Sequence, residues 1–212
     1  MIGDSVTDAE RSRPVGEGLF DPMGKGYVNM VAAILGAFCP AAAIRVVNMG
    51  CSGNTVLDLQ ARWDADVLAL RPDWVSIMIG INDVWRQFDL PRHKEIHVLP
   101  EAYRTAYEAL LIRTKPQVKG MILLTPFFIE PQRGDAMRQR MDEYGAIVKE
   151  LARRHGLPCI DTQAAFDRHT QLHHSGSIAW DRVHPNQTGH MILARAFLEG
   201  IGFSWKTESP SS

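Results

Sequence analysis

The sequence predicts an α/β fold: a three-layer α/β/α sandwich around a central parallel sheet, in one domain of residues 1–205 followed by a polar tail, 206–212. Three observations lead there. Apolar runs of strand length show no alternation of polar and apolar residues, as in strands buried on both faces. Segments with apolar residues at helical spacing lie between these runs, and parallel neighbours in one sheet need such crossovers. A chain of 212 residues, 45% of them hydrophobic, suits one compact core without disulfides.

In chain order, Met1 and Ile2 precede a Gly-Asp-Ser turn. A helix is expected over 27–38, stopped by Pro40. Residues 44–49 (IRVVNM), 74–79 (WVSIMI) and 121–125 (MILLT) are aliphatic or β-branched almost throughout and read as strands, with 157–160 a shorter one. Leu99, Tyr103, Ala106, Tyr107, Leu110 and Leu111 recur at helical spacing before Pro116. Met137, Met141, Tyr144, Val148 and Leu151 repeat the pattern and are closed by Gly156 and Pro158. A last helix, about 187–198, follows Pro185 and is largely apolar. The tail KTESPSS is expected to fray. Trp63 and Trp74 are expected in the core.

Composition excludes several classes. Lys plus Arg number 23 and Asp plus Glu 24, so no basic excess exists to neutralise a nucleic-acid backbone. The longest apolar stretches are too short or too broken to cross a bilayer. Three cysteines without a CxxC pair make no disulfide framework. No secretory leader precedes the Gly-Asp-Ser turn, and a cytoplasmic location is the expectation.

In open parallel sheets, ligands bind beyond the carboxyl ends of the strands. The residues that follow each apolar run are therefore the ones that matter. They are GDSVTD at 3–8, GCSGNT at 50–55, GIND at 80–83 and, before the last helix, DRVHP at 181–185. Together they hold the parts of a nucleophilic hydrolase. The Ser5 hydroxyl is inert until a base takes its proton. His184 is the base, because an imidazole can accept and return a proton near neutrality. Asp181, three residues earlier, can hold the other ring nitrogen and so fix the tautomer. The N–H of Ser5, the N–H of Gly53 and the amide of Asn82 are candidate oxyanion donors, and a glycine at 53 permits close approach and positive φ. Asp4, Asp8 and Asp83 read as loop braces rather than chemistry.

These four blocks, in this order, resemble those of the SGNH (GDSL-type) hydrolases. Beyond them, RVVNMGCSGNTVLDLQARW, RPDWVSIMIGINDVWRQ, DTQAAFD and AWDRVHPNQTGHMILARAF are similar to the acetylxylan esterases of that family. The resemblance implies a flavodoxin-like fold, with Ser5 as nucleophile, His184 as base, Asp181 as its orienter, and Ser5, Gly53 and Asn82 as the oxyanion hole. It further implies removal of acetyl groups from xylo-oligosaccharides through an acyl-enzyme, with no metal or organic cofactor, a small-molecule substrate and a homo-oligomer. Members of the family carry several apolar residues ahead of the Gly-Asp-Ser turn, where only Met1 and Ile2 stand here. Each buried backbone group left unpaired by so short a strand costs roughly 1–3 kcal/mol, so a version with a longer strand is expected to be more stable.

Trp85 and Trp180 flank the catalytic blocks and are candidate substrate-binding residues, flat rings being suited to sugar faces. Phe127 and Phe128 share that edge, with ordinary packing the bland reading for them. His93 and His97 lack the glutamate placement of a zinc motif. Two other readings stay open: a lysophospholipase or thioesterase-type hydrolase, and a non-catalytic carbohydrate-binding protein.

Overall fold

A computed structural model describes residues 1–20 and 22–205; the expected fraying of the tail lies outside the described residues. β1 (Ile2–Gly3), β2 (Trp74–Met78), β3 (Gly120–Leu124) and β4 (Cys159–Ile160) form one parallel sheet in the order β1-β2-β3-β4. The register places Ile2 beside Ile77, Ile77 beside Leu123, and Leu123 beside Cys159.

Successive residues of the central strands point to opposite faces, and both faces are apolar. Val75, Ile77, Met121 and Leu123 enter one core; Met78, Ile122 and Leu124 enter the other. The first core is covered by α3 (Val56–Asp66), α4 (Ile81–Asp89), α5 (Pro100–Thr114) and α6 (Ala136–His155). The second is covered by α2 (Tyr27–Phe38), α7 (Thr162–Thr170) and α8 (Gln187–Gly200). The result is the expected three-layer sandwich. A four-residue helix, α1 (Ser5–Asp8), follows β1 directly.

Local chemistry explains the helix ends. Thr55 and Asp58 form a reciprocal capping box at the start of α3. Asp135 accepts from the N–H groups of Met137 and Arg138 at 2.9 and 3.0 Å to open α6. Gly156, at φ 63°, closes it in the left-handed conformation that suits glycine. No helix among the described residues is long and apolar enough to cross a membrane.

Two expectations need correction. Residues 44–49 do not form a regular strand. Only their end is paired: the Met1 amino group donates to Val47 O at 2.8 Å and Met49 N–H to Met1 O at 2.8 Å, Asn48 bridges Gly16 in the antiparallel sense, and just past the run Cys51 N–H donates to Gly3 O at 3.0 Å. Ile44, at the start of the run, is 48% exposed. Trp74 is 56% exposed rather than core. It lies at the entry to β2, over Gly120 on the next strand, where a Cβ would strike the indole. Trp63 is fully buried as expected.

The shortness of β1 has a spatial counterpart. Trp74, Val75 and Ser76 pair with β3 on one side only, since β1 reaches no further than Ile77. On the other side lies a cavity of about 810 Å³, bounded by Met1, Ile2, Val47, Trp74, Val75 and Ser76 among others. The buried hydroxyl of Ser76 has no hydrogen-bond partner there.

Candidate active site

The carboxyl edge of the sheet gathers the four blocks. Ser5 begins α1 immediately after β1, and Asp4 caps that helix by accepting from Val6 N–H at 3.0 Å. Ser5 Oγ lies 2.9 Å from His184 Nε2, although the two are 179 residues apart in sequence. His184 Nδ1 lies 2.5 Å from Asp181 Oδ2. The other Asp181 oxygen accepts from the N–H groups of Val183 and His184 at 3.0 and 2.8 Å, which curls the loop around the carboxylate.

Burial opposes ionisation of Asp181, but the His184 ring and the two backbone N–H groups outweigh it and hold the carboxyl below its ordinary range. Asp181 is therefore an acceptor. That places the hydrogen of His184 on Nδ1 and leaves Nε2 to accept from the Ser5 hydroxyl. Sequence alone expected this meeting of residues from opposite ends of the chain, and the structure makes it.

The oxyanion candidates are tied to the same edge. Gly53 has φ 81°, a conformation that disfavours other residues and turns the loop between Gly50 and Thr55. Asn82, in the first turn of α4, is 2% exposed. One hydrogen of its amide goes to Asn54 O at 2.9 Å, and the second has no partner among the described residues. Trp85, one turn along α4, packs its ring 5.8 Å from that of His184. Trp180 stands beside Asp181 in the chain but is 95% exposed. Phe127 and Phe128 are buried and belong to the two cores.

The three aspartates read as braces do brace. Asp4 caps α1. Asp8 accepts at one oxygen from both the N–H and the hydroxyl of Ser52, at 2.9 and 2.8 Å, and is paired with Arg13 at 2.6 Å. Asp83 accepts from Val56 N–H at 3.0 Å, joining the start of α3 to the start of α4. A fourth brace was not apparent from sequence. Arg62 on α3 donates to Asn54 Oδ1, Met49 O and Gly3 O at 2.6, 2.8 and 3.1 Å. In the sequence it is one arginine in ARWDAD, with no motif to single it out.

Comparison with known proteins agrees with this geometry. Residues 1–192 match the model of the GDSL-like Lipase/Acylhydrolase family. The chain belongs to that family. It is 56% identical over 205 residues to an acetylxylan esterase of Geobacillus stearothermophilus, covering 97% of this chain and 94% of that one. The crystal structure of an acetylxylan esterase, Axe2, from the same organism superposes with a TM-score of 0.96 at 55% identity, over 98% of this chain and 95% of the other. An alpha/beta hydrolase from the metagenome of Lake Arreo, Spain, is 56% identical with a TM-score of 0.93, over 95% and 93%. Further structures of the Geobacillus enzyme are catalytic mutants in which a serine, an aspartate and a histidine are each replaced by alanine.

Two buried carboxyls set a pH dependence of stability. Burial pushes Asp83 up to about 8, against the help of Val56 N–H and reinforced by Asp4 and Asp58. Burial likewise pushes Asp4 up to about 7. A carboxyl whose folded pKa lies above its unfolded value of 3.8 favours the folded state at low pH, and that contribution is lost as pH rises through the folded pKa. Asp83→Asn keeps an oxygen for Val56 N–H and removes the titration. Between about pH 5 and about pH 9 the unfolding midpoint of the variant should fall less than that of the wild type. Parallel profiles would contradict the assignment.

Proposed function

We propose that this protein is a serine esterase that removes acetyl groups from xylo-oligosaccharides through an acetyl-enzyme. The Ser5–His184–Asp181 relay, with both links at hydrogen-bond length, carries the reading. Support for the substrate comes from the acetylxylan esterases to which the chain is similar. In the Geobacillus enzyme, the replaced serine, aspartate and histidine are spaced as Ser5, Asp181 and His184 are here.

Ser5 Oγ attacks the acetyl carbonyl carbon while its proton passes to His184 Nε2. Asp181 stabilises the imidazolium that forms, through Nδ1–H. The carbonyl oxygen, now negative, is held by the N–H groups of Ser5 and Gly53 and by the free amide hydrogen of Asn82. One such donor is worth on the order of 10²–10³ in rate. Collapse expels the sugar oxygen, which takes the proton from His184. Water then attacks the acetyl-enzyme with the same imidazole as base, releasing acetate and restoring Ser5.

Homo-oligomer formation is also proposed, because Leu19, Phe20 and Trp180 are large apolar side chains more than four-fifths exposed. Sedimentation of the purified chain tests it.

Acetate release from acetylated xylo-oligosaccharides should fall by at least about 10³-fold in Ser5→Ala and in His184→Ala. A fluorophosphonate probe should label the wild type and not Ser5→Ala. Release unchanged in either variant would overturn the mechanism. A series of p-nitrophenyl esters separates substrates: preference for acetyl supports deacetylation, and preference for octanoyl or longer favours the lysophospholipase or thioesterase reading. Absence of both labelling and turnover favours the non-catalytic carbohydrate-binding reading.

A further inference from the structure

The acid–base loop is the least buried part of the relay. The side chains of Asp181 and His184 are 36% and 46% exposed, and their mutual hydrogen bonds do not by themselves fix the loop to the body of the protein. Between them stands Arg182, a non-glycine residue at φ 63°, in the left-handed region. A bulky residue holds that conformation only where its surroundings impose it.

The surroundings are the residues after β3. Arg182 O accepts from Ile129 N–H at 2.9 Å. The Arg182 guanidinium donates to Glu130 Oε2 at 2.6 Å and stacks over the Phe128 ring, 4.9 Å from its centre. Three consecutive residues thus grip one. They are held from beneath in turn. Gln163 brackets Phe128, accepting from its N–H at 2.8 Å and donating to its carbonyl at 3.0 Å. Arg138, 1% exposed, donates to Glu130 O at 2.5 Å. Its guanidinium is fixed by a two-point contact with Asp167 at 2.9 and 2.7 Å.

We infer that Arg182 is a positioning residue: it holds the Asp181–His184 loop, through the 128–130 segment and the buried Arg138, in the orientation that lets His184 take the Ser5 proton. The inference rests on the relay proposed above. Val183, buried in the core, anchors the same loop independently. Loss of Arg182 therefore loosens the loop without unfolding it. Glycine adopts a φ of 63° freely, so Arg182→Gly keeps the backbone path and the Ile129 N–H bond and removes the guanidinium's contacts with Glu130 and Phe128.

The test uses the full chain with p-nitrophenyl acetate. Arg182→Gly should lower kcat by about tenfold to a hundredfold, the scale expected of ångström-sized misplacement, with KM within about twofold. Arg182→Lys retains a cation for Glu130 but not the planar stack, and should recover part of kcat. Glu130→Gln should lower kcat in the same direction and add little when combined with Arg182→Gly. The downfield proton resonance of His184 Nδ1–H should be sharp in the wild type and broadened in Arg182→Gly. Wild-type kcat in Arg182→Gly, or an unaltered resonance, overturns the inference. So does a lowered unfolding midpoint with kcat unchanged per folded molecule. Ser5→Ala, measured alongside, separates the two levels: full activity there defeats the relay itself, whereas its loss beside wild-type turnover in Arg182→Gly defeats only the positioning role.

Discussion

The carbonyl of Gly3 ties the site to the sheet. It accepts from Cys51 N–H at 3.0 Å and from Arg62 at 3.1 Å, so the loop of Gly53 and the helix behind it hang from the last residue of β1. Two residues later in the chain stands the nucleophile. Gly3 itself admits no side chain: a Cβ there would fall 2.3 Å from Met78 O and 2.3 Å from Thr7 Oγ1. The close approach of β2 on one side and α1 on the other therefore requires glycine at this point. A strand of only two residues carries the register between nucleophile and oxyanion donors.

Around that point, rigidity and exposure are divided between different groups. The braces Asp4, Asp8 and Asp83 are each no more than 3% exposed, while the proton-transfer pair faces solvent. Burial does not act alike on the braces. Arg13 and Ser52 supply enough donors and charge to hold Asp8 below its usual range despite burial. Asp83, given only backbone N–H groups, is driven the other way and keeps one oxygen without a partner. The second arrangement costs stability at neutral pH. It also joins the helix of Asn82 to the start of α3.

Much of this was legible in the residues. The helix Tyr27–Phe38 and the helix closed by Gly156 follow from apolar spacing and stop signals, and the meeting of Ser5 with His184 follows from the blocks after each strand. The failures have physical causes. The run 44–49 has strand composition, but only its end, from Val47 on, meets backbone partners, at Met1 and Gly16. Trp74 is aromatic, yet the nearest cross-strand position is a glycine over which it lies in the open. The helices α3, α4 and α7 are short and rich in polar residues, and their narrow apolar stripes, such as Val56, Leu59 and Trp63, fall below a periodicity that stands out. Arg62 and Arg182 act through geometry between distant segments, which no local pattern encodes.

The central claim is that Ser5 sits between a base on one side and three converging donors on the other. A crystal structure of the covalent adduct with a small alkyl fluorophosphonate tests it most directly. The account predicts phosphorus bonded to Ser5 Oγ, with one phosphonyl oxygen at about 2.7–3.1 Å from Ser5 N, Gly53 N and Asn82 Nδ2. An adduct on another residue, or a phosphonyl oxygen turned to solvent away from those three nitrogens, would contradict it.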